Sequence, residues 1–155
     1  MAQRFFLEDF TLTSPAFDHH DEIPDKHTTN GENVSPPLEW TGAPEGTEAF
    51  AIVCHDPDAP LVDGWTHWVA YGIGGDATGL EEGVEGLKEG PHTGGEDGYS
   101  GPAPPPDHGN HHYYFWVYAL DEDLDLDPGL SRAELLDEIE DHVLEQARLV
   151  GTYKN

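Results

Sequence analysis

Hydrophobic residues in this chain gather in three dense runs, Ala49 to His55, Thr66 to Ile73 and His112 to Leu120, each rich in β-branched or aromatic side chains. Runs of this length and composition predict strands. Side chains alternate across a strand, so period two assigns faces within each run. Phe50, Ile52 and Cys54 share a face with Asp56 if the first strand extends that far. On the second, Trp65, His67, Val69 and Tyr71 align, and on the third Tyr113, Phe115 and Val117 join His111 if the strand starts there. Phe5 to Thr13 alternates well enough for a further strand, which Pro15 stops, and Leu38 to Trp40 fits a short one.

The period changes towards the C-terminus. Leu136, Ile139, Val143, Ala147 and Val150 recur at helical spacing, Ser131 followed by Glu134 is a capping-box signal, and Gly151 is a natural stop. Together they predict a helix over about 132–150. Glu138, Asp141 and Glu145 fall largely outside its apolar stripe and read as a solvated face. Residues 18–48 carry turn and breaker chemistry, including Asn30-Gly31 and Ser35-Pro36-Pro37, and predict long loops. The Gly- and Pro-dense stretch Gly90 to Gly109 reads as one long functional loop. With no repeat and no linker, the 155 residues predict a single domain, 1–155, with one proper hydrophobic core.

Charge changes the picture more than any motif. The chain has 32 Asp and Glu against 6 Lys and Arg, a formal net charge of −26. In molar salt the screening length shrinks to about 3 Å and self-repulsion largely disappears, which predicts a halophilic, salt-requiring fold. Four Trp, six Tyr and six Phe argue against disorder. The basic residues Arg4, Lys26, Lys88, Arg132, Arg148 and Lys154 are scattered, which excludes a nucleic-acid surface. No run approaches the roughly 20 apolar residues of a transmembrane segment, and Met1 to Phe6 lacks the apolar region of a signal peptide, so a cytoplasmic protein is expected. The single cysteine, Cys54, sits in an apolar run and reads as an inert core thiol.

Polar residues that a core does not need concentrate in Asp56-Pro57-Asp58-Ala59-Pro60, in Trp65-Thr66-His67-Trp68, and in Gly101-Pro102-Ala103-Pro104-Pro105 leading to His111-His112-Tyr113. They are expected to converge on a pocket with rigid, mostly apolar walls and a few polar groups. Taken in order with Ile23-Pro24, Asn30 to Trp40 and Gly98-Tyr99-Ser100-Gly101-Pro102, this series resembles the phosphatidylethanolamine-binding protein family. The stretch from Arg132 to Tyr153 resembles its bacterial and archaeal, Raf-kinase-inhibitor-like branch. The resemblance implies a mainly β fold, a β-sandwich of two sheets with a few peripheral helices, and a small anion-binding cavity near the surface. It also suggests a homodimer.

Carried over residue by residue, the resemblance places Asp56, His67, Gly101, Pro102, His111 and Tyr113 around that cavity, with Asp58 and Pro60 in support. The chemistry agrees: a phosphate-like anion needs donors, which two imidazoles, a phenol and the backbone N–H groups of a Gly-flanked loop can supply. Asp56 would repel an anion unless it holds an imidazole, either His67 or His111, or bonds an ammonium head group. His112 falls on the opposite face and is structural or part of the rim. Ala59-Pro60 is a plausible cis bond. Where many prokaryotic relatives carry Cys in a Gly-Pro-Cys-Pro-Pro loop, this chain has Ala103. Its rim before His67 is also short, which separates it from the longer animal and plant members. No cofactor and no dedicated metal site are expected. His19-His20 with Asp21-Glu22, and His108 with His111, lie near metal-ligand spacing but read as solvated loops. Three functions stay open: a non-enzymatic module binding a phosphate-like small molecule or phosphorylated group, an interaction protein inhibiting a protease or kinase through its loops, and a hydrolase using a His/Asp pair. The first is preferred, because Ser100 lacks the surroundings of a nucleophile elbow.

Overall fold

A computed structural model of the protein describes residues 10–104, 106 and 109–154. Among them, eight strands form two antiparallel sheets. The smaller sheet joins β1 (Thr11–Thr13), β2 (Leu38–Thr41) and β5 (Gly79–Leu80) in the order β1-β2-β5. The larger has the order β6-β4-β3-β7-β8, from β3 (Ala49–Asp56), β4 (Trp65–Gly74), β6 (Lys88–Glu89), β7 (His111–Leu120) and β8 (Val143–Tyr153). One helix, α1 (Arg132–Ile139), and a single 3₁₀ turn (Asp25–His27) complete the regular structure of the described residues. The three hydrophobic runs are thus the three central strands, β4, β3 and β7. The expected strand from Phe5 is seen from Thr11, and its first part, residues 5–9, lies outside the described residues.

The larger sheet is covered on both faces, which explains why β3 reads as an unbroken apolar run. On one face Phe50, Ile52, Cys54, Trp68, Phe115 and Val117 pack against Leu12, Leu38 and Trp40 of the smaller sheet. On the other, Val53, Val69, Tyr71 and Leu120 pack against Leu135 and Ile139 of α1. Cys54 is fully buried in the first core, as an inert thiol should be, and burial pushes its pKa well up. No helix among the described residues is long and apolar enough to cross a membrane.

The helix expected over 132–150 is corrected. It starts as predicted, with Ser131 Oγ accepting from the Glu134 N–H and Glu134 Oε1 accepting from the Ser131 N–H, but it ends at Ile139. Residues 143–153 form β8 instead, paired with β7 from Leu120↔Val143 to His111↔Tyr153. Two forces favour this outcome. Glu138, Glu140 and Asp141 crowd negative charge at the helix C-terminus, where the macrodipole is already negative and no basic residue offsets it. The free edge of β7 also presents main-chain groups that a strand satisfies and a helix cannot. Ala147, Leu149 and Tyr153, two apart or a multiple of two, then enter the first core. The same residues fit both periods, and the sheet edge decides between them.

Two irregularities in β4 reset the alternation of faces. Between Phe50↔Ile73 and Ile52↔Ala70 the longer strand carries one extra residue, absorbed where Gly72 adopts φ 73°. A second extra residue sits between Cys54↔Trp68 and His55↔Thr66, and that residue is His67.

Candidate functional site

The second bulge builds the site. In a regular strand His67 would share a face with Val69 and Tyr71, as alternation predicts, and would point towards α1. The bulge instead turns it to the side of Asp56 and Tyr113, while Val69 and Tyr71 stay on the helix side. At the ends of β3, β4 and β7 a cavity of about 340 Å³ is lined by Asp56, Pro60, Trp65, His67, His111 and Tyr113. Ser100, Gly101, Ala103 and Pro104 of the loop before β7 close its far wall. Its four titratable side chains are deeply buried: Asp56 is 2%, His67 4%, His111 2% and Tyr113 1% exposed. No lysine or arginine lines it among the described residues.

Hydrogen bonds fix each ring. His111 Nδ1 lies 2.7 Å from Asp56 Oδ2, and the other Asp56 oxygen accepts the Asp58 N–H at 2.7 Å. Of the two imidazoles the aspartate could hold, it holds His111. His67 Nδ1 lies 2.5 Å from the carbonyl oxygen of Ser100. A carbonyl only accepts, so Nδ1 carries the proton and Nε2 of the neutral ring bears a lone pair. That Nε2 is buried and has no hydrogen-bond partner. Burial lowers the His67 pKa to about 4, against the opposing pull of the Ser100 and Gly101 carbonyls and with help from His55 and His92. Burial pushes the Tyr113 hydroxyl far up, so it stays an O–H donor. Its ring meets His67 edge-on at 5.2 Å and stacks on His111 at 6.4 Å, while Trp65 covers His67 at 4.7 Å.

The loop plays a different part from the one expected. The Gly101 N–H donates to Asn33 Oδ1 at 2.7 Å and the Ser100 N–H to the His67 carbonyl at 3.0 Å, while Pro102 has no N–H. These positions therefore offer an anion no backbone donors. Gly101 does answer a close approach, but of main chain: a Cβ there would lie 2.0 Å from the His27 carbonyl oxygen. Pro102 does not line the cavity. It is buried behind the loop, where its carbonyl accepts from the backbone and hydroxyl of Thr29. The strap 27–33, and Asn33 in particular, backs this wall without having been among the residues expected at the site. The Asn-Val-Ser-Pro run is the signal available in the sequence, and in the structure Asn33 there adopts a positive φ of 59°.

Pro60 lines the mouth, and its bond to Ala59 is trans rather than cis. Asp58 faces away, where Oδ2 accepts from both the backbone and the ring of His112 at 2.8 Å. His112 thus stays out of the cavity lining, on the face opposite His111, as alternation predicts. His19 Nδ1 accepts the Val150 N–H and pins its segment to β8, and His108 lies outside the described residues. One acidic group, Asp121, Glu122 and His142, clusters at the surface away from the cavity.

Known proteins resemble this chain over nearly its whole length. A family model described as phosphatidylethanolamine-binding protein matches residues 13–154. A UPF0098 protein of Methanothermobacter thermautotrophicus is 45% identical over 150 residues, spanning 92% of this chain and 97% of the relative. Another, of Aquifex aeolicus, is 40% identical, spanning 91% and 86%. Two crystal structures superpose with a TM-score of 0.89. One is a phosphatidylethanolamine-binding protein homolog of Chlamydia trachomatis, 36% identical and covering 94% of this chain and 97% of that one. The other is Escherichia coli YbcL, described as a member of the mammalian family, 30% identical and covering 95% and 99%.

Proposed function

Because the chain belongs to the phosphatidylethanolamine-binding protein family, we propose that it is a non-enzymatic binding protein that holds a phosphoryl-bearing small molecule or head group in the cavity between Asp56, His67, His111 and Tyr113. The observation that carries this reading is His67 Nε2, a polar atom buried without a partner in the wall of a cavity. Leaving a buried polar atom unsatisfied costs about 1–3 kcal/mol, which a polar ligand would recover. The aromatic walls and locked rings form a rigid pocket, so little ordering is required on binding.

The same geometry speaks against turnover. A hydrolase would need an activated nucleophile, but the bond from His67 to Ser100 runs to its carbonyl, not its hydroxyl. Asp56 serves His111 rather than His67, so no carboxylate-histidine-serine relay is assembled. A loop-mediated inhibitor is the second reading, favoured by Leu61, 53% exposed at the cavity mouth, and by its chain neighbour Val62, fully exposed.

The test is calorimetric titration of inorganic phosphate and phosphoethanolamine in multimolar KCl. Saturable binding is expected, lost in His67→Ala and weakened roughly five- to tenfold in Tyr113→Phe, which deletes one hydrogen bond. The ester should stay intact on prolonged incubation. Absence of any heat at protein concentrations that detect millimolar affinity would move the function to the exposed loop.

A further inference from the structure

Resting on that reading, we propose that the cavity takes the phosphoryl group in its protonated, monoanionic form, with the ligand's P–OH donating to His67 Nε2, and that it rejects a tetrahedral dianion bearing no proton. The hydrogen-bonding capacity of the lining residues favours that form. His67 has committed its N–H to the Ser100 carbonyl and presents a lone pair. Both oxygens of Asp56, the only carboxylate in the lining among the described residues, are engaged, yet its negative charge remains. The N–H groups of Ser100 and Gly101 are spent on His67 and Asn33. No lysine or arginine lines the cavity among the described residues. Tyr113 supplies a donor. A proton-free dianion would meet a lone pair and a carboxylate with no side-chain cation of lysine or arginine to offset them, whereas a ligand carrying one O–H matches the lone pair.

The groups around His67 leave its ring little reason to protonate first. Asp56 and His55 face it from β3, His111 and Tyr113 from β7, His92 from the 91–97 turn, and Ser100 and Gly101 from the loop before β7. The net effect of burial and these neighbours keeps it neutral at neutral pH. The proton must therefore arrive with the ligand or from solvent as the complex forms. No bond to phosphorus forms or breaks. At a pH where free phosphate is mostly the dianion, each complex takes up one proton, shared between the ligand oxygen and Nε2 wherever it comes to rest.

Three measurements on the full chain at constant KCl decide the matter. Inorganic phosphate and sulfate, similar in shape, are titrated at about pH 6. Phosphate is expected to bind roughly ten- to a hundredfold tighter, because sulfate leaves the buried lone pair unmatched. Titration of phosphate in two buffers of different ionisation enthalpy should give close to one proton taken up at about pH 8, falling towards none at about pH 5.5. His67→Gln, whose amide can turn an N–H to the same spot, should bring the phosphate-to-sulfate ratio towards one. Equal binding of the two anions by the wild type with no proton uptake overturns the proposal while leaving the cavity as a binding site. Failure of both anions to bind overturns the binding reading itself, and the selectivity with it.

Discussion

His67 links the acid sensitivity of the fold to its site. Its pKa in the folded protein, about 4, lies below the ordinary value of 6.5. Between those two values the unfolded chain binds more protons than the folded one, so stability falls as pH drops through that window. The contribution, at most about 3 kcal/mol, is present in full above pH 6.5 and gone near pH 4. Denaturant melts of wild type and His67→Gln across that range should diverge, the wild type losing more stability on acidification; parallel curves would show that the ring protonates freely. Gly101→Ala should be destabilising by a few kcal/mol and abolish phosphate binding, because its Cβ would collide with the His27 carbonyl and lift the Ser100 carbonyl off His67. That Asp56, His67, His111 and Tyr113 line one cavity was legible through the family resemblance, while residue types alone indicated only that their three stretches converge. Which histidine the aspartate holds was not, because both lie within reach of the strand end and only backbone placement separates them.

At the level of elements, the three strands were readable because their apolar runs are long and β-branched, whereas β5 and β6, two residues each, carry no periodic signal. The bulge at His67 was hidden for a different reason: an extra residue appears only when two strands are paired. The start of α1 was legible in its capping box and its end was not, because Val143 to Tyr153 satisfies helical and strand periods alike. Ser131→Ala should therefore lower stability by about 1 kcal/mol while leaving phosphate affinity unchanged, since α1 packs on the face of the sheet opposite the smaller sheet. A change in affinity, followed by calorimetry, would mean that the helix helps to shape the cavity.

For the whole molecule the governing quantity is the charge of −26. Few cations offset it: Lys26 meets Glu82 at 2.7 Å and Lys88 meets Asp125 at 3.6 Å, both at the surface, where such pairs add little. The thermal midpoint should therefore climb between roughly 0.1 M and 3 M KCl as repulsion is screened; a midpoint indifferent to salt would remove the case for a halophilic fold. The strap that backs the cavity wall has a consequence for the order of assembly. Tyr99 to His27, Gly101 to Asn33 and Thr29 to Pro102 join segments 72, 68 and 73 residues apart, so each contact closes a long stretch of chain. Such closures are slow to form and are favourable only once the sheets between them exist. In refolding, tryptophan burial should thus recover ahead of phosphate binding, and the pocket would be the last part of the chain to become competent.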